Sequence, residues 1–441
     1  MNSNKKFLNN YFIILFSFIP LSILIGPSVS ISCIALIILS FLIFFFINKS
    51  FFLLKDQTLI ILFLLYLYFI LNSLFSIDFE IGAKRNFGFL RFIILFIAIN
   101  YLFLRKENLE KLLKFWMLIF SVVLFDVFYE FYYGENILGF ISNNQKRIVS
   151  FFKDEQVVGT FLNGFAFILI GFIFINFENK TKTERFLVYF FLVLIFLAMM
   201  LTGERSSFIK FIFGLSIFFY LNNKIKLRNK LFFLSSVVII IFLIFSFLDK
   251  VPSKWFPSGP GLTGYKKMSI LKHRYYKDFI KKLETKEKRQ NLIYFKLYNS
   301  GLEVFKKYPF LGAGNKNYRV ETCENLTERK QKGNYNEKYI CISHPHQIYV
   351  EFLSEHGFIG TIILLFVILY LIFKNLKIML IKRNMIQIGC FSYLLTYFIP
   401  ILPSGSFFTD FNATFFWLNF SIFYASNLET NIYKKYNTFN L

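Results

Sequence analysis

The amino-acid sequence predicts an all-α polytopic membrane protein, and three observations carry that prediction. Hydrophobic residues fill 56% of the 441 positions and charged residues only 17%, against about a quarter charged in ordinary soluble domains. The mean hydropathy is +0.53. Apolar runs of about 20 residues, each long enough to cross a bilayer as a helix, recur from one end to the other. Such hydrophobicity excludes an intrinsically disordered chain, and the recurrence of the runs excludes a single soluble core. The 66 Phe residues and the Lys surplus also fit an AT-rich coding sequence, so the Lys surplus need not all be functional, and the net charge of +24 bears on partners and not on fold.

About 12 spans are expected. Nine lie near 9–26, 28–47, 57–76, 87–104, 113–131, 159–177, 186–201, 205–221 and 231–248; three more lie near 357–373, 384–402 and 409–426. Lys5 and Lys6 precede the first run as in a signal peptide, but no small-x-small cleavage site follows, so an uncleaved helix is expected. Cytoplasmic loops carry excess Lys and Arg. With the N-terminus inside, the inner segments hold Lys49/Lys55, Arg105/Lys106/Lys111/Lys114, Lys180/Lys182/Arg185, Lys224/Lys226/Arg228/Lys230, Lys374/Lys377/Lys382/Arg383 and Lys434/Lys435. The short outer loops hold Lys84/Arg85 and Lys146/Arg147/Lys153. An even span count then leaves both termini cytoplasmic. The chain divides into spans one to nine (1–248), a long outer loop (249–347), and a returning helix with the last three spans (348–441).

The outer loop mixes 21 Lys/Arg with nine acids. A basic surface beside a membrane attracts phosphate and pyrophosphate head groups, although long loops translocate whatever their charge. Residues 286–307 read as an amphipathic helix with Leu292, Phe295, Tyr298, Leu302 and Phe305 on its apolar stripe. Pro309 ends it, and Gly312 and Gly314 make the turn that follows. Cys33 and Cys390 lie in spans as apolar residues. Cys323 and Cys341 flank a polar excursion on the outer face, where a disulfide is expected; no metal-ligand spacing accompanies them.

Two motifs carry candidate chemistry. Ser343-His344-Pro345-His346-Gln347 ends the outer loop, and a helix follows on which Gln347, Glu351 and Glu355 share one face at i, i+4 spacing. A neutral imidazole is suited to accept a proton at neutral pH. Thr202-Gly203-Glu204-Arg205-Ser206-Ser207 joins two spans with almost no loop. Gly203 permits the turn, and Arg205 then sits near bilayer-interface depth with Glu204 as a candidate partner. An ionisable group there is costly unless paired or facing a water-filled cavity, and the Arg fork matches phosphate oxygens. Arg91 lies inside the fourth span below Lys84 and Arg85, and Arg147 lies with Asp154 and Glu155 in the outer loop 134–158. These groups suggest a reaction. Arg205, with Arg91 and Arg289, would hold a lipid-linked pyrophosphate, and His346 would take a proton from an attacking hydroxyl.

At these residues the chain resembles the O-antigen ligase and O-antigen polymerase superfamily of bacterial membrane glycosyltransferases. Thr202-Gly203-Glu204-Arg205-Ser206 is similar to its G-x-R-[ST] signature. His344-Pro345-His346-Gln347-x-Tyr349-x-Glu351-x-x-x-Glu355-x-Gly357 is similar to its HxHN-x-Y-L-E-x-x-x-E-x-G signature, with Gln347 in place of Asn. Tyr308-Pro309-Phe310-Leu311-Gly312-Ala313-Gly314 resembles the P-x-x-G-x-G turn before it. Weaker similarities run over Arg147 to Leu162 and Pro403 to Phe408.

The resemblance, from about Arg85 to Trp417, implies a GT-C-type fold with one large periplasmic loop in the bacterial inner membrane. It implies a glycan donor on undecaprenyl diphosphate and transfer at the periplasmic face with no metal, cofactor or nucleotide. His346 with His344 would then be catalytic beside Arg205, and Arg91, Glu204, Arg147, Arg289, Glu351 and Glu355 would contact substrate. The acceptor is either the lipid A core, as in a ligase, or a growing glycan, as in a repeat-unit polymerase; a third branch glycosylates protein hydroxyls. A nucleic-acid partner is not expected. A transporter of lipid-linked sugars is the competing reading, but it would show internal repeats, and none is visible.

Overall fold

The computed structural model describes residues 3–142, 147–222, 292–324 and 336–433, except 49 and 154, together with the single positions 228, 230, 235, 239 and 333. Those single positions aside, the expected ninth span and Arg289 lie outside the described residues.

All regular structure among the described residues is helical. The first helices are α1 (Ser3–Ser17), α2 (Ile19–Ile25), α3 (Pro27–Ile47), α4 (Gln57–Leu74), α5 (Phe79–Gly88), α6 (Leu90–Leu102) and α7 (Lys106–Tyr133). Then come α8 (Val158–Ile173), α9 (Lys182–Leu201), α10 (Arg205–Leu221), α11 (Ile293–Lys307) and α12 (Tyr318–Cys323). The last are α13 (Ile348–Phe373), α14 (Leu376–Lys382), α15 (Met385–Thr396) and α16 (Asp410–Ala425).

The protein is a polytopic helical membrane protein. Among the described residues, six stretches are long and apolar enough to cross a bilayer: Pro27–Ile47, Gln57–Leu74, Phe79–Leu102, Glu107–Tyr133, Lys182–Leu201 and Ile348–Lys382. Asn10–Ile25, Val158–Ile173 and Met385–Thr396 are apolar but shorter. Val158–Ile173 and Met385–Thr396 fall short of the runs read from hydropathy because the backbone breaks before the apolar residues end. Asn176 turns left-handed beyond α8 with φ +53°, and Pro400 and Pro403 follow α15.

Helices α8, α15 and α16 are buried on nearly every side and form the centre of the bundle, as expected of helices that are apolar all round. Small residues let them meet closely. A Cβ on Gly389 would lie 2.0 Å from the Phe167 carbonyl oxygen, and one on Gly164 would lie 2.2 Å from Phe415 Cδ1. Side-chain amides bridge neighbouring helices: Asn419 Nδ2 of α16 donates to the Gly164 carbonyl of α8 at 2.8 Å, and Asn163 Nδ2 of α8 to the Ser207 carbonyl of α10 at 2.7 Å. The outer helices α3, α4, α7 and α9 leave Leu36, Leu64, Leu118 and Phe190 exposed on the opposite face, the pattern of a lipid-facing surface.

Caps fix several helix starts. Asp56 accepts from Thr58 N at the start of α4, and Thr181 and Glu184 form a reciprocal capping box at α9. At one end of the bundle the N-termini of α8, α10, α13 and α16 meet the C-termini of α4 and α15. Tyr349 Oη donates to the Phe398 carbonyl at 2.7 Å, and Tyr397 Oη to the Asn412 carbonyl at 3.0 Å. The candidate site is built at this end.

The amphipathic helix is present as α11, and its buried face follows the expected stripe only in part, at Tyr298 and Leu302. Leu297, Tyr298, Ser300, Gly301 and Val304 are buried, whereas Phe295 is exposed. Gly301 is the reason: a Cβ there would lie 2.4 Å from Val350 Cγ1 and 2.9 Å from Pro345 Cβ. The closest approach thus runs over a residue that a hydrophobic periodicity does not count.

Candidate functional site

The turn after α11 is pinned on α13 where α13 bends. Gly357 takes non-helical angles of φ 64° and ψ −169°, a region that costs other residues strain. Phe358 N donates to the Pro309 carbonyl at 2.8 Å and Ile359 N to the Phe310 carbonyl at 3.2 Å. In return, Ala313 N and Gly314 N donate to the carbonyls of Ser354 and Glu355, each at 2.9 Å. Gly312 has φ +74° and presses on this backbone, where a Cβ would meet the Glu355 carbonyl carbon at 2.3 Å. The two glycines of the turn and the last glycine of the His signature therefore serve one joint.

Asparagines hold the far side of that turn. Asn72 Oδ1 accepts from Asn315 N at 3.0 Å, Asn315 Nδ2 donates to Asn86 Oδ1 at 2.7 Å, and Asp78 N donates to Asn317 Oδ1 at 2.6 Å. These partners satisfy backbone groups that burial would otherwise leave at a cost.

The His loop is held from both ends. Gln347 caps α13, its Oε1 accepting from Val350 N at 2.8 Å, so the longer amide fills the capping role that Asn commonly plays. His346 takes φ +57°, and its carbonyl accepts from Ser404 N at 2.9 Å. The His344 and His346 rings lie 4.0 Å apart between centroids, and Tyr294 lies edge-on to His346. Ser343 Oγ is 2.9 Å from His344 Nδ1, while His344 Nε2 is buried without a hydrogen bond. Burial first, then the neighbouring His346 and Lys316, push the His344 pKa down to about 3. Burial also lowers that of His346, and the Ser404 contact opposes the shift. Both rings are therefore neutral at neutral pH.

The two glutamates after the loop hold backbone. Glu351 accepts from Ser406 Oγ at 2.5 Å and from Phe407 N at 2.9 Å. The N–H groups of Lys316 and Tyr318 serve the Glu355 carboxylate. One carboxylate thus fixes the Pro403–Phe408 segment beneath His346, and the other fixes the Gly312–Tyr318 turn.

Beside the His loop is a cavity of about 780 Å³ whose wall includes Arg85, Arg91, Lys316, Arg319, Ser343 and Asp410. Arg85 Nη1 lies 3.1 Å from Asp410 Oδ1, and Arg91 pairs with the same oxygen. Burial lowers the Lys316 pKa and so does the Arg85 charge, while Glu355, Glu351 and Asp410 oppose this. Lys84 also lines the cavity, paired with Glu80 at 2.6 Å. The wall is strongly cationic and suited to an anion of diphosphate size. Cys323 and Cys341, 4.7 Å apart at Cα, are joined by a disulfide that ties the Arg319 helix to the segment leading to Ser343.

Arg205 and Arg147 lie in a second cluster. Gly203, at φ +72°, turns α9 into α10, and Ile148 N donates to the Thr202 carbonyl at 3.3 Å. Glu204 is buried and caps α8: its carboxylate accepts from Gly159 N at 2.6 Å and from Ser207 Oγ at 2.9 Å. Burial raises its pKa, and these bonds and the Arg147 charge hold the rise back. Arg205 begins α10, half-buried.

The expected residues thus separate into neighbouring groups at one end of the bundle. His344, His346, Glu351 and Glu355 lie together, Arg147 lies with Glu204 beside Arg205, and Arg91 is in the cavity wall. Neither Arg205 nor His346 lines that cavity. Lys316, Arg319, Asp410 and Ser406 were missed; the only signal for the first two is their position just after the P-x-x-G-x-G turn. The fourth histidine, His356, is buried, with Nδ1 3.1 Å from Tyr68 Oη and Phe69 and Phe408 around it.

Residues 190–365 match a family described as O-antigen ligase. That region runs from α9 to α13 and contains Arg205, Lys316, Arg319 and the His loop, but not Arg85, Arg91 or Asp410. Among curated proteins nothing matches the chain.

Proposed function

We propose, for this member of the O-antigen ligase and polymerase superfamily, that it transfers a glycan from undecaprenyl diphosphate to an acceptor hydroxyl, with the lipid A core as the acceptor. Transfer takes place at the periplasmic face of the inner membrane, with both termini cytoplasmic. The observation that carries this reading is the cation-walled cavity beside two neutral imidazoles. Such a pair of features suits an anionic leaving group and a hydroxyl that must lose a proton.

In this mechanism His346 removes the acceptor proton as the hydroxyl attacks the anomeric carbon. The bond from that carbon to the diphosphate oxygen breaks, and the lipid diphosphate leaves with the electron pair. Arg91, Arg85, Lys316 and Arg319 stabilise its charge, and Arg205 and Arg147 hold the donor from the α10 side. His344 packs on His346 and orients it. Glu351 and Glu355 fix the segments on which these groups stand, and Glu204 fixes the Arg205 turn.

The test is purified protein with a synthetic glycan on a polyprenyl diphosphate. His346→Ala should abolish transfer while donor binding persists; undiminished transfer refutes the assigned base. Lengthening of the donor-borne glycan in place of transfer to a lipid A core would assign the chain to the polymerase branch.

A further inference from the structure

Phe310 is among the most exposed large apolar side chains at this end of the bundle, at 69%, and Leu311 next to it is 39% exposed. Exposed aromatic residues at the tip of a rigid turn are costly in water. This turn is rigid, because Gly312 and Gly357 lock it to α13 through the Pro309 and Phe310 carbonyls. The residues it is locked to, Phe358 and Ile359, are themselves 56% and 45% exposed. They begin the exposed apolar face that Ile362 and Phe366 continue down a helix long enough to cross the bilayer. The other flank of the turn is polar: Lys307 pairs with Glu321 at 2.7 Å, and Tyr308 Oη donates to Glu321 at 3.0 Å. An apolar tip continuous with a lipid-facing helix, bounded by Tyr and a Lys pair, has the composition of an interfacial anchor.

We propose that the Tyr308–Gly314 turn is a membrane anchor, with Phe310 and Leu311 inserted into the apolar edge of the bilayer beside α13. Lys316 follows the turn within a few residues and stands in the cavity wall, so the anchor sets the height of the cationic wall relative to the lipid surface. This consequence rests on the proposed use of a lipid-linked diphosphate; the insertion itself does not.

Two measurements test it separately. Phe310→Cys, in a background with Cys33→Ala and Cys390→Ala and the disulfide intact, takes a spin label in the full-length protein in phosphatidylethanolamine–phosphatidylglycerol liposomes. A label at Phe310 accessible to oxygen and shielded from a water-soluble nickel chelate is the expected result, with a label at the exposed Lys338→Cys showing the reverse. A label open to nickel, or shielded from both reagents by protein, overturns the anchor. Phe310→Ser with Leu311→Ser should then slow transfer from a long-chain donor in liposomes about tenfold and leave transfer from a short-chain donor in detergent unchanged. Equal effects on both donors overturn the height-setting role. Absence of transfer by the wild-type protein would count against the proposed function and leave the labelling result standing.

Discussion

Arg91 and Asp410, 319 residues apart in the chain, form an ion pair in the wall of the cationic cavity. Asp410 also holds Arg85, so one carboxylate aims two guanidinium forks. Its side chain is 37% exposed, and water screening leaves such a pair little net stability. Orientation is then its main contribution.

Asp410→Asn should therefore lower kcat/KM for transfer about tenfold, near 1.4 kcal/mol of transition-state stabilisation, with little change in thermal midpoint. Arg91→Lys should also lower transfer, because a point charge cannot replace a planar fork. Steady-state kinetics and thermal unfolding in detergent separate the two effects. A large fall in midpoint with kinetics intact would make the pair structural.

Gly357→Ala should destabilise the protein. Its φ of +64° with ψ of −169° lies in a region populated essentially by glycine and costs an L-residue roughly 1–3 kcal/mol, and an added Cβ would lie 2.4 Å from the Phe310 backbone. Because the joint also carries Glu355, transfer should fall along with thermal stability. A variant with an unchanged midpoint would mean that the bend in α13 can relax.

The course of the helices was legible because hydrophobicity dominates it, and the His and Arg motifs were legible because chemistry restricts their residue types. The face of Gln347, Glu351 and Glu355 could be read from spacing. That Glu351 would serve Ser406 and Phe407 could not, since those partners arrive from a segment about 55 positions later with no periodic signal. The cationic wall was hidden for the same reason: Arg85 and Arg319 come from α5 and α12, and only their folding beside Asp410 makes them one surface. The α11 stripe was read only in part because Gly301, which has no side chain to bury, marks its closest contact.

The disulfide joins the cavity helix carrying Arg319 to the run that ends at Ser343 and His344. Cys323→Ser with Cys341→Ser should destabilise the loop by about 3 kcal/mol on the chain-entropy account for a closure of this length. Tyr318 Oη still contacts Ser300 Oγ at 2.7 Å, so the bundle should fold while transfer is impaired. A membrane-impermeant phosphine applied to intact cells with a permeabilised outer membrane should reproduce the loss if the loop is periplasmic. Full activity after confirmed reduction would show that the remaining contacts suffice.

The pH dependence follows from two imidazoles held below their ordinary pKa. Burial depresses both, so the fold favours the neutral rings. The unfolded chain protonates its histidines near pH 6.5, whereas folded His344 does so only near 3. Between those values the unfolded state binds more protons, so stability rises with pH there, is complete above about 6.5, and is lost as pH falls toward 3. A base must be neutral to accept a proton, so kcat/KM should be flat through pH 7 and fall on an acid limb below pH 6.5 that reports His346. The measurement is a pH–rate profile alongside thermal midpoints from pH 4 to 8. His344→Asn should remove part of the pH dependence of stability and leave an acid limb in the rate, whereas a limb that disappears with His344 alone would assign the proton transfer to that ring.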